Sequence, residues 1–432
     1  MKLFDKVLSA TGFTRTRHKL GTEIVAGLTT FLAMAYILVL NPKMFAPLES
    51  TGFPVDSVFT STALAAIVGT LLMAFLAKRP LAQAPGLTLN VFFVQTVCVS
   101  MGYSWQFALT AVLIEGLLFI AICLTGMRQM IFEMLPPSIK YSISVGIGLF
   151  IAQIGLTNSG LLMQGNTLFG HIDTLMKPES LLFILGLVLA GFFTLIHLRG
   201  GLLLSILITT LVGIPMGVSQ IPMEGHLFSM PPSPEPLLFK FSWSDVLTPD
   251  MLVCVLTMLF FDVFDTLGTT VGVMANAGLI RPNGRIPNLT RIMLSDAIAT
   301  SAGACLGCST VTTYVESASG VAEGGRTGMT ALVVALCFTA SLFLSPLYLA
   351  TPAAATAPIM VIAGFYLFSS IRYINVKDPV ECIPAFLTIL LMPVTGSISD
   401  GILVGMASYA VLSSIDRLIS RHRGIDDEED IQ

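Results

Sequence analysis

The chain has 432 residues, of which 54% are hydrophobic and only 11% charged, and its formal net charge is -4. Soluble domains carry about a quarter charged residues, so the composition excludes a large aqueous domain and makes lipid the solvent for most of the chain. The small net charge, confined to ends and loops, gives no footprint for nucleic-acid binding.

At roughly 25 to 30 residues per helix plus loop, the length accommodates about 12 to 14 membrane crossings. Residues 1–21 are basic and lack a small-residue cleavage site, so they read as a cytoplasmic tail and not as a removable signal peptide. Apolar runs then predict helices near 22–41, 58–77, 106–125, 139–156, 180–197 and 200–218. A polar, Pro-rich stretch at 219–249 is expected to be an external loop, and further helices are predicted near 250–275, 293–307, 325–346, 352–370, 380–394 and 398–416. Two more stretches, 81–100 and 308–322, are apolar enough for the membrane but are interrupted by Pro85 and Gly86 in one and by Gly320 in the other. Interrupted segments at matching positions of two halves point to a transport site, because unwound backbone at membrane depth must line a cavity. Residues 417–432 read as a cytoplasmic acidic tail, in which Asp426 to Asp430 is expected to be solvated and disordered.

Counting the interrupted stretches gives fourteen spans, and the 22 Lys and Arg residues support that number. With the N terminus inside, nineteen of them fall on the cytoplasmic side, among them Lys78, Arg79, Arg128, Lys140, Arg199, Arg281, Arg285, Arg291, Arg326, Arg372 and Lys377. Only Lys43, Lys177 and Lys240 fall outside. A twelve-span arrangement strands Arg128, Lys140 and Arg199 on the wrong side. The expected fold class is therefore an all-α polytopic membrane protein, with seven-span repeats at 22–218 and 250–416. Seven is odd, so the second repeat is inverted relative to the first, and the interrupted segment comes third in each. The expected location is a bacterial inner membrane, with both termini cytoplasmic.

The chemistry concentrates in three segments. The predicted eighth span carries Asp262 and Asp265 in the run Phe260 to Thr270, at i and i+3 on neighbouring positions of one helix face. The tenth carries Glu316 before Ser317-Ala318-Ser319-Gly320. Ionisable groups at membrane depth are costly and usually face a bundle interior or cavity. No Lys or Arg lies inside a predicted core, and the histidines sit in tails, loops or span ends, so a proton relay must use carboxylates. The same absence disfavours an anionic substrate and suits a neutral ligand rich in N–H donors. In the third span, Pro85 lacks an N–H, Gly86 permits unusual backbone angles, Asn90 can donate and accept, and Phe92 or Phe93 can stack on a planar ring. Blander readings fit the remaining acids: Glu23, Glu381 and Asp400 lie near span ends and read as interfacial, Asp296 lies near the start of a span, and Glu323 reads as a cap near Arg326. Glu115 is mid-span and has no role that the sequence assigns. The seven cysteines lie in or beside apolar runs without metal-ligand spacing and read as inert thiols, so no metal or other cofactor is expected.

Several runs, taken together and in order, resemble the AzgA-like purine permeases of the nucleobase-ascorbate (xanthine/uracil) transporter family. They are Glu23 to Ile37 with Asn41-Pro42, Ala84-Pro85-Gly86 to Asn90, Gly102-Tyr103-Ser104-Trp105, Gly146 to Ile151, Asp265-Thr266-Leu267-Gly268-Thr269 and Glu316 to Gly320. The resemblance implies a core domain of spans 1–4 and 8–11 and a gate domain of spans 5–7 and 12–14. Spans 3 and 10 would each open with a short strand before a half-helix. It also implies proton symport of adenine, guanine or hypoxanthine, with Asn90, Asp265 and Glu316 at the base and Asp265 or Glu316 carrying the coupled proton; Thr269 and Phe92 complete the expected substrate site. A homodimer is a possible assembly. Where the branch usually has APGMGLNA, this chain has Thr88 for a Gly and Val91 for a small residue, and both add bulk near the site.

Other readings are a xanthine/uracil-type permease and a passive channel or facilitator for a small neutral solute. An anion carrier of the sulfate-transporter type would share the fold, but the acidic residues argue against it. An enzyme lacks its nucleophile, base or metal cluster, and a primary pump lacks its GxxxxGK[ST] loop.

Overall fold

The computed structural model describes residues 6, 8–16, 18–125, 137–159, 161, 176–198, 200–219, 228–279, 286–396 and 398–429. Lys2, Arg17, Arg128, Arg199, Arg281 and Arg285, counted above as cytoplasmic, lie outside the described residues, as do His171, His226 and part of the expected external loop.

Every apolar run becomes helical. The first is a bent pair, α1 (Leu20–Met34) and α2 (Ile37–Phe45), followed by α3 (Val55–Leu72), which ends in a π-type turn at Met73–Ala77. The first interrupted stretch forms strand β1 (Gln83–Pro85), a short helix α4 (Leu87–Val91) and π-type turns over Phe92–Ser100. Next come α5 (Trp105–Thr125), α6 (Pro137–Asn158), α7 (Pro178–Leu195) and α8 (Gly201–Gly213). The second part holds α9 (Pro249–Asn276) and α10 (Leu289–Cys305), then strand β2 (Val311–Thr313) and α11 (Ser317–Ala322), then α12 (Gly328–Ser341) and α13 (Ser345–Leu349). It closes with α14 (Ala353–Phe368), α15 (Pro379–Thr395) and α16 (Ile398–Glu429). Among the described residues, seven helical segments are long and apolar enough to cross a membrane by length and composition. α16 runs on to Glu429, so the acidic stretch expected to be irregular is helical that far.

The two strands explain how a chain can break its helices at membrane depth. A free N–H or C=O in hydrocarbon costs several kcal/mol, and here each strand satisfies the other. β1 and β2 pair antiparallel with Gln83 opposite Thr313, Ala84 opposite Thr312 and Pro85 opposite Val311. Pro85 has no N–H to donate, but the N–H of Gly86 reaches Thr310 O at 3.0 Å and that of Tyr314 reaches Ala82 O at 2.9 Å. The Tyr314 hydroxyl adds a bond to Pro85 O at 2.6 Å.

Small residues set the packing around this ribbon, as expected where helices must approach without a hydrophobic driving force. α10 carries Ser295, Ala297, Ala299, Thr300, Gly303 and Ala304 on its buried side, which lets α5 lie against it. A Cβ on Gly116 of α5 would come within 2.5 Å of Ser301 Oγ and 2.8 Å of its backbone N. α11 packs on α1 in the same way, with Gly320 against Thr30 and Ala26.

Residues 1–128 and 158–359 form one compact unit, and residues 129–157 and 360–432 another. The paired strands and every site residue named below belong to the first unit. That unit also contains α7 and α8, which the resemblance assigns to the gate; α8 packs on α1, with Gly200 just before it seated on Leu32. In the second unit α15 and α16 pack together, and Val145, Ile374 and Ala385 form an apolar cluster.

Candidate functional site

The candidate site lies where α9 passes the paired strands. α9 is continuous through both of its carboxylates, and its pitch sorts them. At 100° per residue, Asp265 is turned about 60° from Asp262, while Thr266 lies nearly over Asp262. The result is two stripes. Asp262 and Thr266 are fully buried, whereas Asp265 and Gly268 are exposed and Thr269 is half-buried one turn further on.

The open stripe meets β2 and the segment after it. Thr312 is within hydrogen-bonding reach of Asp265, and Glu316 is close enough to interact with it electrostatically. Glu316, half-buried, sits just before α11 and accepts a bond from the Tyr36 hydroxyl at 2.7 Å. Tyr36 stands at the bend between α1 and α2, and the bend turns its hydroxyl toward the second half of the chain. Sequence reading missed it. Its signal was a lone phenol in an otherwise apolar helix, just before Asn41-Pro42.

Behind the open stripe lies a sealed polar layer. Asp296 accepts from the Gln83 side-chain amide, from Thr266 Oγ1 at 2.7 Å and from Thr313 Oγ1 at 3.2 Å. Thr300 Oγ1 lies 3.2 Å from Asp262 Oδ2 and also 3.0 Å from Val311 O, and Thr310 Oγ1 donates to Glu115 Oε2 at 2.9 Å. Asp296 therefore departs from its expected setting. α10 begins at Leu289, two turns before Asp296, so this carboxylate is internal and ties β1, β2, α9 and α10 together. Glu23 departs likewise. It is buried, and its carboxylate accepts from the N–H groups of Arg326 and Thr327 at 3.2 and 3.3 Å and from the Thr330 hydroxyl, at the start of α12. A carboxylate there satisfies otherwise orphaned donors.

Asn90 and Phe92 are fully buried. The Asn90 amide donates to Asn41 and accepts from Ser309, and Asn41 donates in turn to Thr62 at 3.0 Å. Phe92 packs edge-on against Phe261, with ring centroids 6.2 Å apart. On α4 the partly open positions are Leu87 and Thr88, while Val91 is buried. The geometry thus brings Asp265 and Glu316 together on the open stripe, with Thr269 further along it and the buried Thr312 and Tyr36 against the two acids, whereas Asn90 and Phe92 are fully buried.

Comparison with known proteins supplies the setting for this geometry. A model described as Permease family, Xan_ur_permease, matches residues 21–404. The guanine/hypoxanthine permease PbuO of Bacillus subtilis is 40% identical over 399 residues, covering 91% of each chain. The adenine permease AdeQ of Escherichia coli is 36% identical over 391 residues, covering 90% of this chain and 87% of that one. Among solved structures, the transmembrane domain of the cyanobacterial bicarbonate transporter BicA superposes with a TM-score of 0.65 at 17% identity, covering 90% of this chain and 98% of that one. At that identity the likeness carries the fold alone, a mostly helical membrane architecture.

Proposed function

This chain belongs to the Permease family, and from that premise we propose that it imports purine nucleobases (adenine, guanine and hypoxanthine) by proton symport. It is a multi-pass membrane transporter and not an enzyme. The observation that carries the proposal is the pair of acids, Asp265 and Glu316, facing one open place beside a broken-helix ribbon in a chain with so few charges. A carboxylate accepts two hydrogen bonds in a fork. Guanine presents N1–H and its exocyclic amine as a matching pair, and adenine offers N6–H and N9–H. Relatives that carry the names of guanine, hypoxanthine and adenine permeases support the same class of substrate.

In this reading Asp265 and Glu316 meet the base, Thr269 lines the same stripe, and Asn90 and Phe92 hold α4 from behind. Tyr36 orients Glu316. Coupling follows if one of the two carboxyls takes a proton before the loaded protein reorients, so that the base and the proton cross together. The chain makes fourteen crossings in two inverted seven-span repeats, with both termini on the cytoplasmic side of a bacterial inner membrane, and a homodimer is compatible with this arrangement. Uptake of labelled adenine or guanine into cells or proteoliposomes tests the proposal. Accumulation against a gradient that an uncoupler abolishes is the expected result, whereas equilibration unaffected by the uncoupler would make the protein a facilitator. Competition by unlabelled adenine, guanine, hypoxanthine, xanthine and uracil assigns the base, and competition by xanthine or uracil alone would overturn the purine assignment.

A further inference from the structure

The sealed layer holds three carboxyl groups that the transport reading does not use. Glu115 of α5, Asp262 of α9 and Asp296 of α10 are all fully buried. Asp262 lies within hydrogen-bonding reach of both Glu115 and Asp296. Their remaining neighbours are neutral: Thr310 at Glu115, Thr300 at Asp262, and Gln83, Thr266 and Thr313 at Asp296. The nearest further charge is another acid, Asp265. Asp296 is amply supplied with donors, but Glu115 and Asp262 are not. Glu115 Oε1 and Asp262 Oδ1 are sealed from solvent and accept from no hydroxyl, amide or backbone N–H. Among the described residues no acid cluster has the arrangement to hold a metal ion.

Two carboxylates have only acceptors to offer each other, and a hydrogen bond between them requires that one carry a proton. A cation would relieve the pair, but among the described residues their neighbours supply none. We propose that Glu115 and Asp262 share one bound proton at a site separate from the open stripe, and that this acid–acid hydrogen bond clamps α5 to α9. The proton is structural. It is taken up as the protein folds and stays through the transport cycle, so the layer behind Asp265 is rigid and carries at least one charge fewer than its sequence suggests. This inference does not depend on which solute the open stripe binds, and its test uses no transport measurement.

Infrared spectroscopy of the full-length protein in lipid nanodiscs at neutral pH reads the protonated carboxyl through its C=O stretch, which is distinct from the carboxylate bands. A band weakened in both Glu115→Gln and Asp262→Asn is the expected result, because the new amide supplies the donor that the shared proton supplied to the Glu115–Asp262 contact. Glu115→Gln should keep the wild-type melting temperature, whereas Glu115→Ala, which removes the bond, should melt several degrees lower. A wild-type spectrum without a protonated-carboxyl band would overturn the proposal without recourse to a variant. A band unchanged in Glu115→Gln, or in Asp262→Asn should the first fail to fold, would overturn it too.

Discussion

Asp262 and Asp265 stand three residues apart on one helix, yet the first is sealed among threonines and the second is open. An i, i+3 step turns the helix by about 300°, leaving a residual angle of about 60°, enough to move a side chain from the inside of a packed layer to its rim. Only the rim position can meet a solute. Asp265→Asn and Glu316→Gln keep size and shape but replace a charged acceptor. With hydrogen bonds to charged groups worth about 1.5–3 kcal/mol each, uptake of labelled purine should fall by about 100-fold or more in each variant, with unchanged protein in the membrane by immunoblot. Tyr36→Phe removes the bond to Glu316 Oε1 and should lower uptake by about tenfold. Wild-type rates in this variant would show that Glu316 is held without the phenol. Asp265 and Glu316 were legible in the sequence because a charge deep in an apolar run has few structural explanations. Asp296 and Glu23 were not, since a run of letters gives the depth of a residue along its own helix but not the donors that other helices bring to it. Gln83, Thr266 and Thr313, which come from three separate segments, make Asp296 an internal group.

The helices follow from their apolar runs and the first break follows from Pro85 and Gly86, but Gly320, expected to interrupt the second stretch, lies inside α11, and the pairing of β1 with β2 is a long-range contact that no local pattern encodes. Nor does local pattern mark the π-type turns at Met73–Ala77 and Phe92–Ser100, where one extra residue is accommodated per turn. Close packing is more legible, because small residues concentrate where helices touch. Gly320 is the case nearest the site. A Cβ there would lie 2.1 Å from Thr30 Oγ1 and 2.4 Å from Ala26 O, and the latter is backbone that cannot turn aside. Overpacking of this kind costs about 1–3 kcal/mol, and α11 directly follows Glu316. Gly320→Ala should therefore lower the melting temperature of the purified protein and reduce uptake together. Gly191 on α7 has open space where a Cβ would stand, so Gly191→Ala should leave both at wild-type values or raise the melting temperature slightly, by helix propensity. Equal behaviour of the two variants would remove the α1–α11 contact as a packing constraint.

For the whole molecule the number of bilayer crossings turns on the two interrupted segments, which are too short and broken to be recognised as spans by length alone. Their status fixes the orientation of everything between them. If 81–100 and 308–322 both cross, Lys177, just before α7, is external. If neither does, the chain between them is reversed and Lys177 is cytoplasmic. Lys377, just before α15, is cytoplasmic in either case, since removing two crossings restores the original sense. Both side chains are exposed, so cysteines in their place would be accessible to reagents on their own side. In a variant lacking the seven native cysteines, Lys177→Cys should react with a membrane-impermeant maleimide in intact cells, and Lys377→Cys should react only after the cells are opened. Protection of the cysteine at 177 until lysis would return the chain to twelve spans. It would also put Asp265 and Glu316 beside segments that lie on one surface, where no solute crossing the membrane would have to pass them.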